Sequence, residues 1–165
     1  VKTLDHLVRL LAWIAACLFA ATGVMLTYEV TARYFFTAPT IWAAELSQMC
    51  LIWGSLIAMP WILSVRRHIT VTAVTGTLGP GLQKVCELLA LLVVFAFSVV
   101  VTAYGWEIFH DSFLRGRTTG SLLNLPVWIV ELAIPFGFAL LALQSVVEFV
   151  GVVKHGAPER NAGHE

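Results

Sequence analysis

The sequence predicts an all-α, four-helix integral membrane protein with both termini in the cytoplasm. Three observations carry that expectation. The chain of 165 residues is 59% hydrophobic and only 12% charged, against about 25% charged residues in soluble domains. Its mean hydropathy is +0.85. Its apolar residues are gathered into four runs, each of the about 20 residues needed to cross a hydrocarbon core. The runs cover about 7–31, 41–65, 85–109 and 126–150, so residues 1–153 read as one membrane domain and 154–165 as a short polar cytoplasmic tail.

Basic residues set the orientation. Lys2, Arg9, Arg66, Arg67, Lys84, Lys154 and Arg160 gather on one side, against Arg33, Arg115 and Arg117 on the other. Loops rich in Lys and Arg stay in the cytoplasm, which places both ends of the chain there. Trp42, Trp106, Trp128, Tyr28, Tyr34 and Tyr104 then fall near the outer boundary, and Trp13 and Trp61 near the inner one. Amphipathic rings favour those depths. The formal net charge is zero, so nothing suggests a nucleic-acid partner.

The first span is too long for a cleavable signal sequence and reads as a retained helix. Asp5 and Arg9 are four apart at its start, and Ala12, Ala16 and Ala20 form a row of small residues of the kind that lets helices approach closely in lipid. Glu29 and Arg33 follow, with the acid first, the better orientation for an ion pair along a helix. Ala38-Pro39-Thr40 turns the chain into the second span. There Trp42, Glu45, Met49, Trp53 and Leu56 share a bulky face, while Ala44, Ser47, Gly54 and Ala58 lie on the other side. Trp53 sits near mid-span, where an indole N–H needs a partner, so it is expected to face a helix. Pro60 falls near the cytoplasmic end.

The segment 68–82 is rich in Thr and Gly and reads as a short interfacial stretch ending in Gly79-Pro80-Gly81. Lys84 and Glu87 open the third span, which closes on Glu107, His110 and Asp111 before Arg115 and Arg117. Pro126 suits the start of a helix. Glu131 lies just inside the fourth span, and Pro135 and Gly137 lie deeper in it.

The outer layer thus gathers Glu29, Glu45, Glu107, Asp111 and Glu131 against Arg33, Arg115 and Arg117. Charge at a bilayer edge is costly and has a reason. The residues leave open an ion-paired lattice stapling helix ends together, a docking surface, or an ion path. The middles of the spans are nearly free of charge, which argues against translocation through this chain alone.

No catalytic or cofactor pattern stands out. The histidines His6, His68, His110, His155 and His164 lie at ends, in loops or in the tail, where they cannot face one another across a haem. Cys17, Cys50 and Cys86 are unpaired in sequence and read as small buried hydrophobes. No enzyme, bound metal or cofactor is expected. An anchor subunit of a redox or quinone enzyme, and a stand-alone small carrier, stay open as alternatives.

Three groups of residues resemble one known family along nearly the whole chain. They are Arg33-Tyr34-Phe35 with Pro39, Trp42 and Glu45; Arg67-His68-Ile69-x-Val71; and Leu125-Pro126-x-Trp128 with Pro135-x-Gly137. This resembles the small membrane subunit of tripartite ATP-independent periplasmic (TRAP) transporters, the DctQ-like family. Thr72 stands where members commonly carry an acid. The resemblance implies an inner-membrane scaffold for a large, many-helix subunit that holds the transport path. It also implies a periplasmic substrate-binding protein as partner, and uptake of an organic acid driven by an ion gradient, typically sodium. The candidate contacts to those partners are Glu29, Arg33, Trp42, Glu45, Trp53, Arg115, Arg117, Pro126 and Glu131.

Overall fold

In the computed structural model, residues 2–66, 80–121 and 123–155 are described. The interfacial segment expected over 68–82 falls mostly outside them, as does the tail from 156 onward. The described chain forms four helices: α1 (Lys2–Phe35), α2 (Ala43–Arg66), α3 (Pro80–Arg115) and α4 (Trp128–His155). Each contains a run long and apolar enough to cross a bilayer. Helix is the form such runs must take, because hydrocarbon supplies no partner for a free backbone N–H or C=O. Each helix runs past the apolar run at one or both ends. Pro80 opens α3, where its missing N–H is harmless. Pro60 and Pro135 lie inside α2 and α4, which continue through them.

The helices do not close into a bundle. Extensive contacts link α1 to α2, α2 to α4, and α4 to α3, giving a row in the order α1–α2–α4–α3. The outer members are correspondingly bare. Of the most apolar window of each helix, 11% is buried in α1 and 17% in α3, against 22% in both α2 and α4.

Side-chain pairings give the directions. Gly54 lies against Ala15, Leu18 and Phe19, while Thr40 reaches back to Glu29, so α1 and α2 are antiparallel. Gly105 packs on Ile134 and Pro135, and Phe113 on Trp128, so α3 and α4 are antiparallel. Trp53 bonds Ile129 and Leu56 meets Gly137, so α2 and α4 run parallel. Both ends of the chain therefore lie at one end of the row, and the α1–α2 and α3–α4 loops at the other.

The seams are made by small residues. On α1 the buried positions are Val8, Ala15, Thr22, Glu29 and Ala32, the first four forming a seven-residue repeat that keeps one face on the neighbour. The Ala12-Ala16-Ala20 row expected to pack does not: Ala16 and Ala20 are exposed. The row is one face of an apolar helix, but α2 meets a different one. Ala43, Ser47, Gly54 and Ala58 are buried on α2, and a Cβ at Gly54 would stand 3.4 Å from the Phe19 ring. The α2–α4 seam is tighter, since a Cβ at Gly137 would fall 2.7 Å from that of Leu56. On the third seam Gly105 leaves room for the ring of Pro135, 3.3 Å from where its Cβ would stand.

Most hydroxyls within the described helices are satisfied locally, while the buried Ser112 hydroxyl on α3 has no hydrogen-bond partner. Thr22 donates to Leu18 C=O at 2.9 Å, Ser98 to Val94 C=O at 2.7 Å and Thr102 to Ser98 C=O at 2.7 Å. These bonds let polar residues sit in an apolar seam without an unmet donor.

Candidate functional site

The charged residues named from sequence gather at the loop end of the row. Glu29 organises the α1–α2 side. It is nearly two turns before the end of α1 and only 5% exposed. One carboxylate oxygen accepts from Arg33 Nη2 at 2.5 Å. The other accepts from the backbone N–H of Thr40 at 2.9 Å and also from the Thr40 hydroxyl. Arg33 itself lies at the surface, with 58% of its side chain exposed against 7% for Glu29.

The local chain makes this contact possible. Thr37 takes a left-handed conformation, φ 50°, and the N–H groups of both Phe36 and Ala38 reach the Ala32 carbonyl at 3.2 Å. The chain reverses over Pro39, and Thr40 arrives beside Glu29. Tyr28 and Trp42 stack across the same turn with ring centroids 6.1 Å apart. Sequence reading placed Thr40 in the turn but gave it no partner. An 11-residue separation carries no periodic signal.

On the α3–α4 side Asp111 plays the corresponding part. Arg115 Nε donates to it at 2.7 Å, and Arg117 Nη2 lies 3.9 Å from its other oxygen. The loop folds through left-handed Gly116, Gly120 and Asn124. A bridge between Thr118 and Pro126 closes it, with Val127 N–H on Arg117 C=O at 3.0 Å and Thr119 N–H on Leu125 C=O at 2.9 Å. Pro126 thus sits in the loop closure just ahead of α4. Trp106, Phe109, Phe113 and Trp128 pack together beneath it.

The lattice of ion pairs expected between helix ends is not what forms. Glu29–Arg33 and Asp111–Arg115 each lie within one helix, and Asp111–Arg117 joins a helix to its own loop. None of these three pairs joins two helices, and none involves Glu45, Glu107 or Glu131. All three arginines of this end are taken by Glu29 and Asp111 instead. Glu45 and Glu131 stand in the first turns of α2 and α4, where the helix N-terminus favours negative charge. Each keeps one buried carboxylate oxygen with no hydrogen-bond partner.

Trp53 finds its partner inside the chain. Its Nε1–H donates to Ile129 C=O at 3.2 Å, and its ring lies 6.1 Å from that of Phe136. The bulky face of α2 thereby meets α4. Trp42 is part-exposed at the loop end, beside Tyr28.

A second polar group lies in the other half of the row; the sequence reading named Glu87 but neither Gln144 nor Glu148. Gln144, 1% exposed on α4, donates to Glu148 Oε1 at 3.0 Å. Glu148 and, on α3, Glu87 are buried as well. Gln144 and Glu148 are four apart within an apolar run, a spacing that could have drawn notice.

Fold and site together define a class: a multi-pass helical membrane protein with an ordered charged end and, among the described residues, no enclosed path through its row of helices. The family model for the DctQ component of tripartite ATP-independent periplasmic transporters matches residues 22–155, and the chain belongs to that family. It is accordingly an inner-membrane transporter component. Similar proteins include the C4-dicarboxylate TRAP transporter small permease protein DctQ of Rhodobacter capsulatus, 24% identical over 75% of this chain and 55% of that protein. The sialic acid TRAP transporter permease protein SiaT of Haemophilus influenzae (strain 86-028NP) is 20% identical over 66% of this chain and 18% of that protein. The isethionate TRAP transporter permease protein DctMQ of Oleidesulfovibrio alaskensis is 22% identical over 79% and 21%, respectively. The chain therefore matches about half of one curated relative's length and about a fifth of each of the other two.

Proposed function

We propose that the chain is the small membrane subunit of a TRAP-type secondary transporter. It braces a large, many-helix membrane subunit and helps dock a periplasmic substrate-binding protein, for uptake of an organic acid driven by a sodium gradient. Both termini face the cytoplasm in this reading, and the loop end with Arg33, Arg115 and Arg117 faces the periplasm. The observation that carries it is the open row. Each outer helix has one extensively packed neighbour, so the helices surround no axis along which a solute could cross. Such a chain acts through its faces and its loop end.

The charged loop end supports the docking part. The arginines keep more than half of their side chains exposed while held in place by acids, an arrangement suited to contact with a soluble partner. Reconstitution tests the whole reading. Liposomes holding this chain, the large subunit encoded beside it and the matching binding protein should accumulate an organic acid when sodium is supplied outside. Omitting any one component should abolish uptake. Uptake by this chain alone would refute the reading, as would a haem Soret band in the purified protein.

A further inference from the structure

The seam between α3 and α4 is not filled along its whole length. Toward the loop end Gly105 meets Pro135 closely. In the half of the row that holds the chain termini, a groove of about 220 Å³ opens between Leu91, Leu92 and Phe95 of α3 and Ser145, Val146 and Phe149 of α4. Leu91 and Ser145 are buried, whereas Leu92, Phe95 and Val146 are 58%, 39% and 42% exposed, so the groove has a closed floor and open rims. The Ser145 hydroxyl donates to Ala142 C=O at 2.7 Å, which leaves the walls without a free donor. The groove lies within the membrane-spanning lengths of both helices. Left empty, its lining would forfeit dispersion contacts. A hydrocarbon chain restores them and leaves no polar group unmet.

A cation stands in line with this groove. Lys84, Leu88, Leu92 and Phe95 follow one another at intervals of three or four residues along α3, so they share one helix face. Lys84 lies seven residues before Leu91, about 10 Å along the axis, where the apolar span begins. It is exposed and enters no ion pair or hydrogen bond among the described residues. Glu87, the next acid along α3, is buried and already engaged. A lysine at the edge of a span lays its apolar stem along the hydrocarbon and carries its ammonium to the headgroup layer, where it attracts anionic headgroups.

We propose that the groove is a phospholipid site. One acyl chain lies between Leu92 and Val146, over Leu91 and Ser145, and the lipid's phosphate pairs with the Lys84 ammonium. The lipid belongs to the leaflet on the side of the chain termini. Its two ends are recognised independently, the chain by an apolar groove that the protein does not fill and the phosphate by an unpaired cation on the same face.

Native mass spectrometry of the purified chain, titrated in detergent with dioleoylphosphatidylglycerol, tests this. The wild-type chain should hold one lipid, and dioleoylglycerol, with the same chains and no phosphate, should bind about tenfold more weakly or worse. Lys84→Glu should weaken phosphatidylglycerol binding by about tenfold or more, whereas Arg9→Glu, an equal change of charge on α1 across the row, should alter it less than about twofold. Leu92→Trp and Val146→Trp should each fill the groove and weaken binding by about tenfold or more, with Val93→Trp, on the other side of α3, changing it less than about twofold. Leu92 and Val146 are exposed, so both tryptophan variants should keep the wild-type unfolding midpoint in lipid-free detergent. Equal binding of the two lipids, or binding unmoved by Lys84→Glu, would overturn the phosphate contact. Binding unmoved by both tryptophan variants would overturn the groove as the site. In the assembled transporter, benzoylphenylalanine at Leu92 should give an adduct with phospholipid, and an adduct with another membrane subunit instead would overturn the proposal.

Discussion

Glu29→Ala should be the most damaging single change at the loop end, and by more than Arg33→Ala. The two residues form one ion pair, yet they differ in what else they hold. Glu29 is buried and also accepts the Thr40 N–H at 2.9 Å and the Thr40 hydroxyl. Hydrogen bonds to a charged group contribute about 1.5–3 kcal/mol each. Surface pairs one helical turn apart contribute about 0.3–0.5 kcal/mol. Arg33 has most of its side chain exposed and belongs to the second class. Removing the Glu29 carboxylate therefore costs about 2–4 kcal/mol, mostly through the stranded Thr40 N–H, and removing the guanidinium costs less than about 1 kcal/mol. Glu29→Gln should fall between, since the amide oxygen still accepts the Thr40 N–H but without charge. Denaturant titration of the three variants in detergent measures the ranking, and amide exchange at Thr40 supplies a local readout. Protection there should vanish in Glu29→Ala and survive in Arg33→Ala. Equal losses in the two alanine variants, or a protected Thr40 amide without Glu29, would refute the reasoning.

Gly137→Ala should destabilise the chain by about 1–3 kcal/mol, because its Cβ would fall 2.7 Å from Leu56 Cβ; thermal unfolding in detergent reads this directly. Trp53→Phe keeps the ring but removes the Nε1–H bond to Ile129, a loss of about 0.5–1.5 kcal/mol measurable in the same assay. Thr37→Gly should leave stability equal or raise it by up to about 1 kcal/mol, since a β-branched residue is held at φ 50° where glycine carries no strain. Arg33→Ala or Glu45→Ala should weaken assembly or docking without changing which substrate is taken up. Co-purification and uptake assays check this, and normal behaviour of both variants would count against a contact role for these residues.

The number of helices and their approximate places were legible because lipid forces them. Twenty apolar residues in hydrocarbon have one way to satisfy their backbone, and no tertiary detail enters. The Glu29–Arg33 pair was legible for a similar reason, since four residues along a helix always share a face. The order α1–α2–α4–α3 was not. In water an amphipathic pattern reveals the buried side of a helix, but here the side toward lipid and the side toward protein are both apolar, so periodicity carries little information about neighbours. That is why Ala12-Ala16-Ala20 read as a packing face while α2 in fact meets Ala15 and Thr22. It is also why the indole of Trp53 could be expected to find a helix but not to find Ile129. Thr40 on Glu29 is the same case at the loop end. The residues are 11 apart, and only the reversal over Thr37 and Pro39 brings them together. Sequence settled what had to be helical and charged. The tertiary structure decided which helix touches which, because that choice rests on the fit of small residues against particular neighbours.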